Sequence, residues 1–423
     1  MTENEEKVTR AILCGVHTGD LDVLSDTTEE SMAELAELAK GAGALVVGTL
    51  VQNKDKPENK AYLGEGKLEE LRLACETLEA DLIIFDDELT GIQTRNIEDI
   101  TGVRTIDRST LILDIFALRA RSREGKLQVE LAQLRYRLPR LTGMGAALSR
   151  LGGGIGTRGP GETKLENDKR HIRRRIEALE EELRDIERHR NLIRSRRSKD
   201  GVLTCTLAGY TNAGKSSLLN ALTGSEEVYA ANQLFATLDP TARAITLPDG
   251  RSVMLVDTVG FIRKLPHHLV KAFRSTLEET IEADVILHVI DSADPDMCQN
   301  IRVVDSLIRE LDCKAEKIIA VFNKCDIAPA LSPRPEGHYT DFVSVSTVTG
   351  EGIEELVEKI SDALPGKKKR IEVLIPYSNS GTAAKLHDGE VIYSEEYTDT
   401  GIKIDLLADE ILQNRLKEYI IGG

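Results

Sequence analysis

The six cysteines, Cys14, Cys75, Cys205, Cys298, Cys313 and Cys325, include no C-x-x-C pair, which removes the short-spaced zinc and redox motifs. Several fall in stretches that read as buried strands or helices, so reduced core thiols are expected. No run approaches the ~18 consecutive apolar residues of a membrane span, and the start, MTENEEKVTR, lacks the apolar core of a signal peptide. A cytoplasmic chain is the expectation. The eight histidines are scattered and build no ligand cluster with cysteine, so His17 and the pair His267 and His268 read as ordinary side chains. No internal repeat is visible. A net charge of −16 argues against a general nucleic-acid coat, although an average hides local basic surface.

What is present divides the 423 residues into four parts. Residues 1–112 alternate apolar runs ("RAILCGV", "GALVVGTLV", "DLIIFDD", "VRTIDR") with helix-period stretches, the pattern of a small α/β layer with a largely parallel sheet. In 113–200 two apolar seams recur at steps of four and three: Leu127, Leu131, Leu134, Leu138 and Leu141, then Ile172, Ile176, Leu179, Leu183 and Ile186. The glycine-rich "GMGAALSRLGGGIGTRGPGET" separates them, which suggests an antiparallel helical hairpin. Residues 201–366 alternate strands and helices again and read as a doubly wound α/β domain. Residues 367–423 carry alternating strand patterns and a final helix, a small α+β module.

The chemistry lies in the third part. "GYTNAGKS", Gly209 to Ser216, fits G-x-x-x-x-G-K-[ST] between a strand and a helix. In that context backbone N–H groups converge on phosphate, Lys215 reaches the β/γ phosphates and Ser216 ligates Mg²⁺. Gly209, Tyr210, Thr211, Asn212, Ala213, Gly214 and Ser217 complete the expected phosphate contacts. "NKCD", Asn323, Lys324, Cys325 and Asp326, follows an apolar strand. Asp326 accepts from the ring N–H and amine of guanine, whereas adenine strands a buried acceptor. Asn323 is expected at the other base edge and Lys324 over the ring. "DTVG", Asp257, Thr258, Val259 and Gly260, places Asp257 to hold Mg²⁺ through water and the Gly260 N–H toward the γ-phosphate. "FATLDPTAR" must supply the switch threonine: Thr237 first, Thr241 as fallback, with Phe235, Ala236, Leu238 and Asp239 around the nucleotide. Ser346, Thr347 and Val348 of "SVSTVTGEGI" are expected to cap the guanine. The set implies a GTP site, with Lys215, Thr237, Gly260 and Asn212 as its catalytic members.

These elements, together with "YLGEGKLEEL", "LAQLRYRLPRL", "GGGIGTRGPGE" and "FATLDPT", resemble the HflX family of translation-factor-class GTPases over essentially the whole chain. The resemblance implies a P-loop GTPase domain behind a small α/β domain and a helical hairpin. It also implies GTP-dependent binding to the ribosome, mainly its large subunit and rRNA, and dissociation of stalled or idle ribosomes under stress. We expect a monomer. Two other classes stay open: a GTP-regulated RNA-binding adaptor or RNA-modification partner with a separate N-terminal activity, and a metabolic GTP-consuming enzyme, for which no acid/base constellation is visible.

Two features set the terms for hydrolysis and binding. The residue after "DTVG" is Phe261 where a water-orienting glutamine is usual, so turnover is expected to be slow alone and stimulated by ribosomal particles. Asn212 has two readings, as ligand of a K⁺ ion beside the phosphates or as a residue that tolerates the loop backbone. Residues 118–200 hold roughly 22 Lys or Arg against 12 Asp or Glu, a basic arm on an acidic body. Arg150, Arg158, Arg173, Arg174, Arg194 and Arg197 are the expected RNA contacts, set against the plainer reading of a salt-bridged helix face. Gly154-x-Gly156-x-x-Gly159 also fits the dinucleotide fingerprint, but no strand precedes it. The N-terminal "GEGKLEEL" reads as a helix start rather than a second phosphate loop.

Overall fold

The computed structural model describes residues 8–18, 28–141, 160–199, 202–224, 235, 239–264, 274–328, 339–366, 369–387, 392–408 and 410–422. The N-terminal sheet comprises β1 (Arg10–His17), β2 (Leu45–Asn53), β3 (Leu82–Phe85) and β4 (Arg104–Asp107). All are parallel, in the order β2-β1-β3-β4. Strand alternation sends Ala11 and Leu13 to one core and Ile12, Cys14 and Val16 to the other. Helices α1 (Thr28–Gly41) and α4 (Arg108–Arg119) cover the first face; α2 (Glu65–Thr77) and α3 (Gly91–Thr101) cover the second. "GEGKLEEL" is a helix start here, because Gly64 is the N-cap residue of α2. Residue 112, our expected edge of this layer, falls inside α4, whose Ile112, Ile115 and Phe116 are core side chains.

α5 (Arg123–Arg140) and α6 (Pro160–Lys199) form the arm. Their seams meet as the spacing requires: Leu127 and Leu131 pack with Ile176 and Leu179, flanked by Leu134, Leu138, Ile172, Leu183 and Ile186. Cross-helix pairs fix the antiparallel sense, Arg175 with Glu130 at 2.7 Å and Arg190 with Glu124 at 2.9 Å. The glycine-rich connection, with Arg150 and Arg158, lies outside the described residues.

The third sheet region contains β5 (Leu203–Gly209), β6 (Thr241–Thr246), β7 (Ser252–Asp257), β8 (Val285–Asp291), β9 (Lys317–Asn323) and β10 (Tyr339–Ser344), in the order β10-β9-β8-β5-β7-β6. Only β6 runs antiparallel among these described strands. Helices α7 (Lys215–Thr223), α8 (Arg274–Ile281), α9 (Met297–Glu310) and α10 (Ile353–Ala363) accompany it. β6, "TARAIT", alternates between intermediate and exposed positions, so it offers none of the apolar run that marks its neighbours. The C-terminal sheet is antiparallel: β11 (Lys369–Ile375), β12 (Ile392–Thr398), β13 (Gly401–Ala408) and β14 (Ile420–Gly422), ordered β12-β13-β11-β14. Its core closes on α11 (Ser380–Leu386) and α12 (Glu410–Leu416) through Ala383, Leu386, Leu412 and Leu416. All six cysteines are free, with Cys14, Cys75 and Cys205 buried and Cys298 exposed. No described helix is long and apolar enough to cross a membrane.

Leu179 is fully buried in the arm's seam. Leu179→Ala is expected to weaken the α5–α6 packing by about 2–5 kcal/mol, read as faster limited proteolysis within the arm while nucleotide affinity holds; unchanged proteolysis contradicts the packing described.

Candidate functional site

β5 ends at Gly209 and α7 begins at Lys215, so the five residues between them must turn the chain through the mouth of the sheet. Gly214, at φ +90°, is the N-cap of α7, and a Cβ there would lie 2.2 Å from the Asn323 side-chain nitrogen. No other residue type fits. Asn212 also has a left-handed backbone, φ +63°, a conformation asparagine tolerates better than most. That accounts for the asparagine without a cation.

Inside the loop the Lys215 ammonium donates to the carbonyls of Gly209 (3.1 Å) and Tyr210 (2.8 Å). Burial lowers its pKa to about 8, with the Asp257 charge pulling the other way. Ser216 donates to the buried Asp257 carboxylate at 2.6 Å. A hydroxyl and a carboxylate side by side at a phosphate loop suit a small hard cation that prefers oxygen ligands, so the residues present fit Mg²⁺. Described residues include no cluster of three or more His, Cys, Asp or Glu that could hold a metal.

The "DTVG" segment leaves β7 directly over this loop. The Phe261 N–H donates to Gly209 O (3.0 Å) and the Thr211 N–H donates to Phe261 O (2.8 Å), extending the sheet by a bridge between Tyr210 and Phe261. A Cβ on Gly260 would come within 3.0 Å of the Lys215 ammonium, 2.9 Å from Thr211 Cα. Thr258 donates to Leu207 O, and Val259 packs into the N-terminal core. Phe261 is buried with Leu277, Ile281, Val304 and Ile308, so its ring is a core side chain.

The base end is assembled from two loops. Ser346 donates to Asp326 at 2.7 Å and accepts from the N–H groups of Val348 and Thr349. The Cys325 N–H donates to Val345 O, and Thr347 and the exposed Val348 follow at the rim. Two residues of this end also hold protein partners. The Asn323 side chain donates to Ala213 O at 2.9 Å, tying this loop to the phosphate loop. Lys324, at φ +64°, pairs with Asp291 at 2.6 Å, because that carboxylate ends the adjacent strand β8.

The "FATLD" residues separate. Ala236, Thr237 and Leu238 lie outside the described residues; the fallback Thr241 opens β6, paired with Asp257. The Phe235 side chain, expected at the nucleotide, is buried against Phe116 of α4, and the Asp239 carboxylate meets the start of α5. Ser217 sits in the first turn of α7. On the arm, Arg173 and Arg174 are exposed, Arg173 lying 3.6 Å from Glu166; the side chains of Arg194 and Arg197 lie outside the described residues.

Sequence reading missed a network that joins the site to the N-terminal sheet. Arg108, 2% exposed, pairs with Asp86 at 2.8 Å and with Glu34, and donates to Arg263 O. Tyr210, in the phosphate loop, donates to Glu34 and accepts from the Arg263 N–H at 2.9 Å. Arg263 itself reaches Glu30 (3.0 Å), and Lys264 pairs with Asp86 and Asp87. Burial alone would raise the Asp86 pKa, but Arg108 and Lys264 outweigh it and hold the carboxyl below its usual range. These partners stand up to 233 residues apart, beyond any local motif.

Comparison with known proteins decides the family. A protein called GTPase HflX from Caldanaerobacter subterraneus subsp. tengcongensis is 50% identical over 414 residues, 98% of this chain and 94% of that protein. The chain belongs to the HflX family of GTPases. The Escherichia coli GTPase HflX is 41% identical over 89% of each chain. Three family models match: one described as GTP-binding GTPase N-terminal (29–117), one as GTP-binding GTPase Middle Region (119–197) and one as 50S ribosome-binding GTPase (204–324). The first two part at the end of α4. A GTP-binding protein from Sulfolobus solfataricus, solved with GDP, is 26% identical over 84% of this chain and 98% of that chain, with a TM-score of 0.44.

A phosphate beside Lys215 favours the ammonium and raises its pKa above about 8. Binding therefore takes up a proton once pH exceeds that value, and this part of the affinity, full below pH 8, is lost as pH rises toward the bound pKa. GTP affinity is expected to fall by up to about tenfold per pH unit above 8. Lys215→Arg, which stays charged, should flatten the profile; a wild-type profile flat to pH 9.5 contradicts the buried-lysine account.

Proposed function

We propose that this GTPase binds the ribosome, mainly its large subunit, in the GTP state and separates stalled or idle ribosomes, with hydrolysis ending the bound state. The observation that carries the nucleotide part is the convergence of Lys215, Ser216 and Asp257 at one end of the site and Asp326 with Ser346 at the other. Lys215 takes the β/γ phosphate oxygens from its present carbonyl partners. Asp326 accepts from the guanine ring N–H and amine, and Ser346 holds that carboxylate in place. The backbone at Thr347 and Val348 caps the base edge. Ser216 and Thr237 would hold Mg²⁺, with Asp257 acting through water, and the ion would supply charge neutralisation for the phosphates. The Gly260 N–H meets the γ-phosphate. Asn212 serves the loop's backbone, so the reading needs no monovalent cation.

Two observations support the ribosomal part: the 204–324 match to a family described as 50S ribosome-binding GTPase, and the exposed arginines of α6. Arg175 is held by Glu130 and Arg188 by Asp185 at 3.1 Å, so part of the arm's charge is internally neutralised. RNA phosphates exchange with such partners easily, because exposed pairs contribute only about 0–1 kcal/mol. Burial of Phe261 leaves the free protein without a water-positioning side chain, and ribosome binding completes the site by shifting the loop that carries it.

Asp326→Asn exchanges an acceptor for a donor facing the guanine N–H. GTP affinity should fall by at least about tenfold, while xanthosine triphosphate, whose ring carries an oxygen at that edge, should bind better than to wild type. Equal losses for both nucleotides contradict the assignment. For the ribosome, sedimentation with 70S and 50S particles in GTP, GDP and a non-hydrolysable analogue is the direct measurement. Co-migration with 50S particles in the analogue but not GDP, loss of 70S particles and a turnover raised at least tenfold are expected; nucleotide-independent sedimentation rejects the proposal.

A further inference from the structure

Asp239 follows Thr237 by two residues and precedes β6 by two. One carboxylate oxygen accepts from the backbone N–H groups of Arg121 (2.9 Å) and Ser122 (2.8 Å), and the other accepts from the Ser122 hydroxyl. Ser122 is itself the N-cap of α5, accepting from the Gly125 N–H at 2.8 Å. The negative charge thus sits on the positive end of the α5 dipole with two otherwise orphaned donors satisfied. The fit is close: a Cβ on Gly125 would stand 2.5 Å from the Asp239 carboxylate. Four residues upstream, the Phe235 ring meets Phe116 of α4 edge to face, centroids 4.6 Å apart. The switch I segment is therefore fastened on both sides of Thr237 to the helices that support the arm. A separate tie comes from α8, whose Glu278 shares Arg190 of α6 with Glu124 of α5.

We infer that Asp239 is a positioning residue that transmits the nucleotide state of switch I to the arm by holding the first turn of α5. Two residues of chain span at most about 7 Å, so drawing Thr237 to the triphosphate alters where the Asp239 carboxylate can stand. The cap on α5 follows it or breaks. Either outcome changes the root of the arm, and by reciprocity an arm seated on RNA changes the affinity for GTP.

This inference rests on the ribosome-binding reading above only in its last step, and the test separates the two. Hydrogen exchange of the 121–125 segment in the full-length protein is measured with GDP and with a non-hydrolysable GTP analogue, then affinity for 50S particles in each state. The variants are Asp239→Asn, which faces three donors with one carbonyl oxygen and an amide, and Gly125→Ala, which pushes the carboxylate away from the arm side. Wild type should show exchange at Ser122 and Gly125 that differs at least about threefold between nucleotides. Both variants should lose that difference and cut the analogue-over-GDP preference for 50S by about tenfold, with exchange elsewhere in the G domain as in wild type. Identical wild-type exchange with the two nucleotides, or a preserved difference in both variants, overturns the role of Asp239. A nucleotide-dependent exchange that the variants abolish, with no nucleotide effect on 50S binding, sustains the inference and sinks the ribosomal reading instead.

Discussion

A guanidinium almost withdrawn from water, Arg108 between Asp86 and Glu34, is the contact on which the arrangement of the site depends. Removing such charges from solvent costs several kcal/mol per ion, and the cost is offset only when the geometry satisfies most of their hydrogen-bonding groups. Here Arg108 reaches two carboxylates and the Arg263 carbonyl, Asp86 also takes Ser31 (2.6 Å) and Lys264, and Glu34 takes Tyr210. Because Tyr210 belongs to the phosphate loop and Arg263 and Lys264 follow "DTVGFI", any movement of the "DTVG" segment strains this cluster. It joins discrete hydrogen bonds, so it favours one arrangement over a continuum of them.

The position of the cluster follows from topology. In an open parallel sheet the ligand crevice lies outside the carboxyl ends of the strands where the order reverses, which in β2-β1-β3-β4 is between β1 and β3. Asp86 and Asp87 follow β3 at that point, and Lys264 of the neighbouring domain occupies it. A crevice that in other folds receives a soluble ligand here receives a side chain of the same polypeptide.

Local motifs were legible in the sequence because their parts are contiguous: the phosphate loop, the metal-side carboxylate and the guanine motif each sit at a strand end where the apolar run stops. The arm was legible through its period, since Leu127, Leu131, Ile176 and Leu179 meet as their spacing requires. β6 was not, because half-exposed "TARAIT" has no apolar run. Assigning Phe235 and Asp239 to the nucleotide by proximity to Thr237 failed for their side chains, which turn to α4 and α5. Nothing in "FATLD" encodes those partners; they lie over a hundred residues away in sequence. Lys324 and Asn323 each also hold a protein partner, Asp291 and the Ala213 carbonyl, that no local motif announces.

α6 runs for 40 residues, about 60 Å at the rise of an α-helix. Arg190, its tie to the G domain, stands some 30 residues from the Pro160 end, a lever of about 45 Å. A tilt of about 5° at that fulcrum sweeps the tip through about 4 Å, more than the length of a hydrogen bond. Displacements too small to notice at the Arg190 fulcrum become, at the tip, shifts on the scale of a side-chain contact.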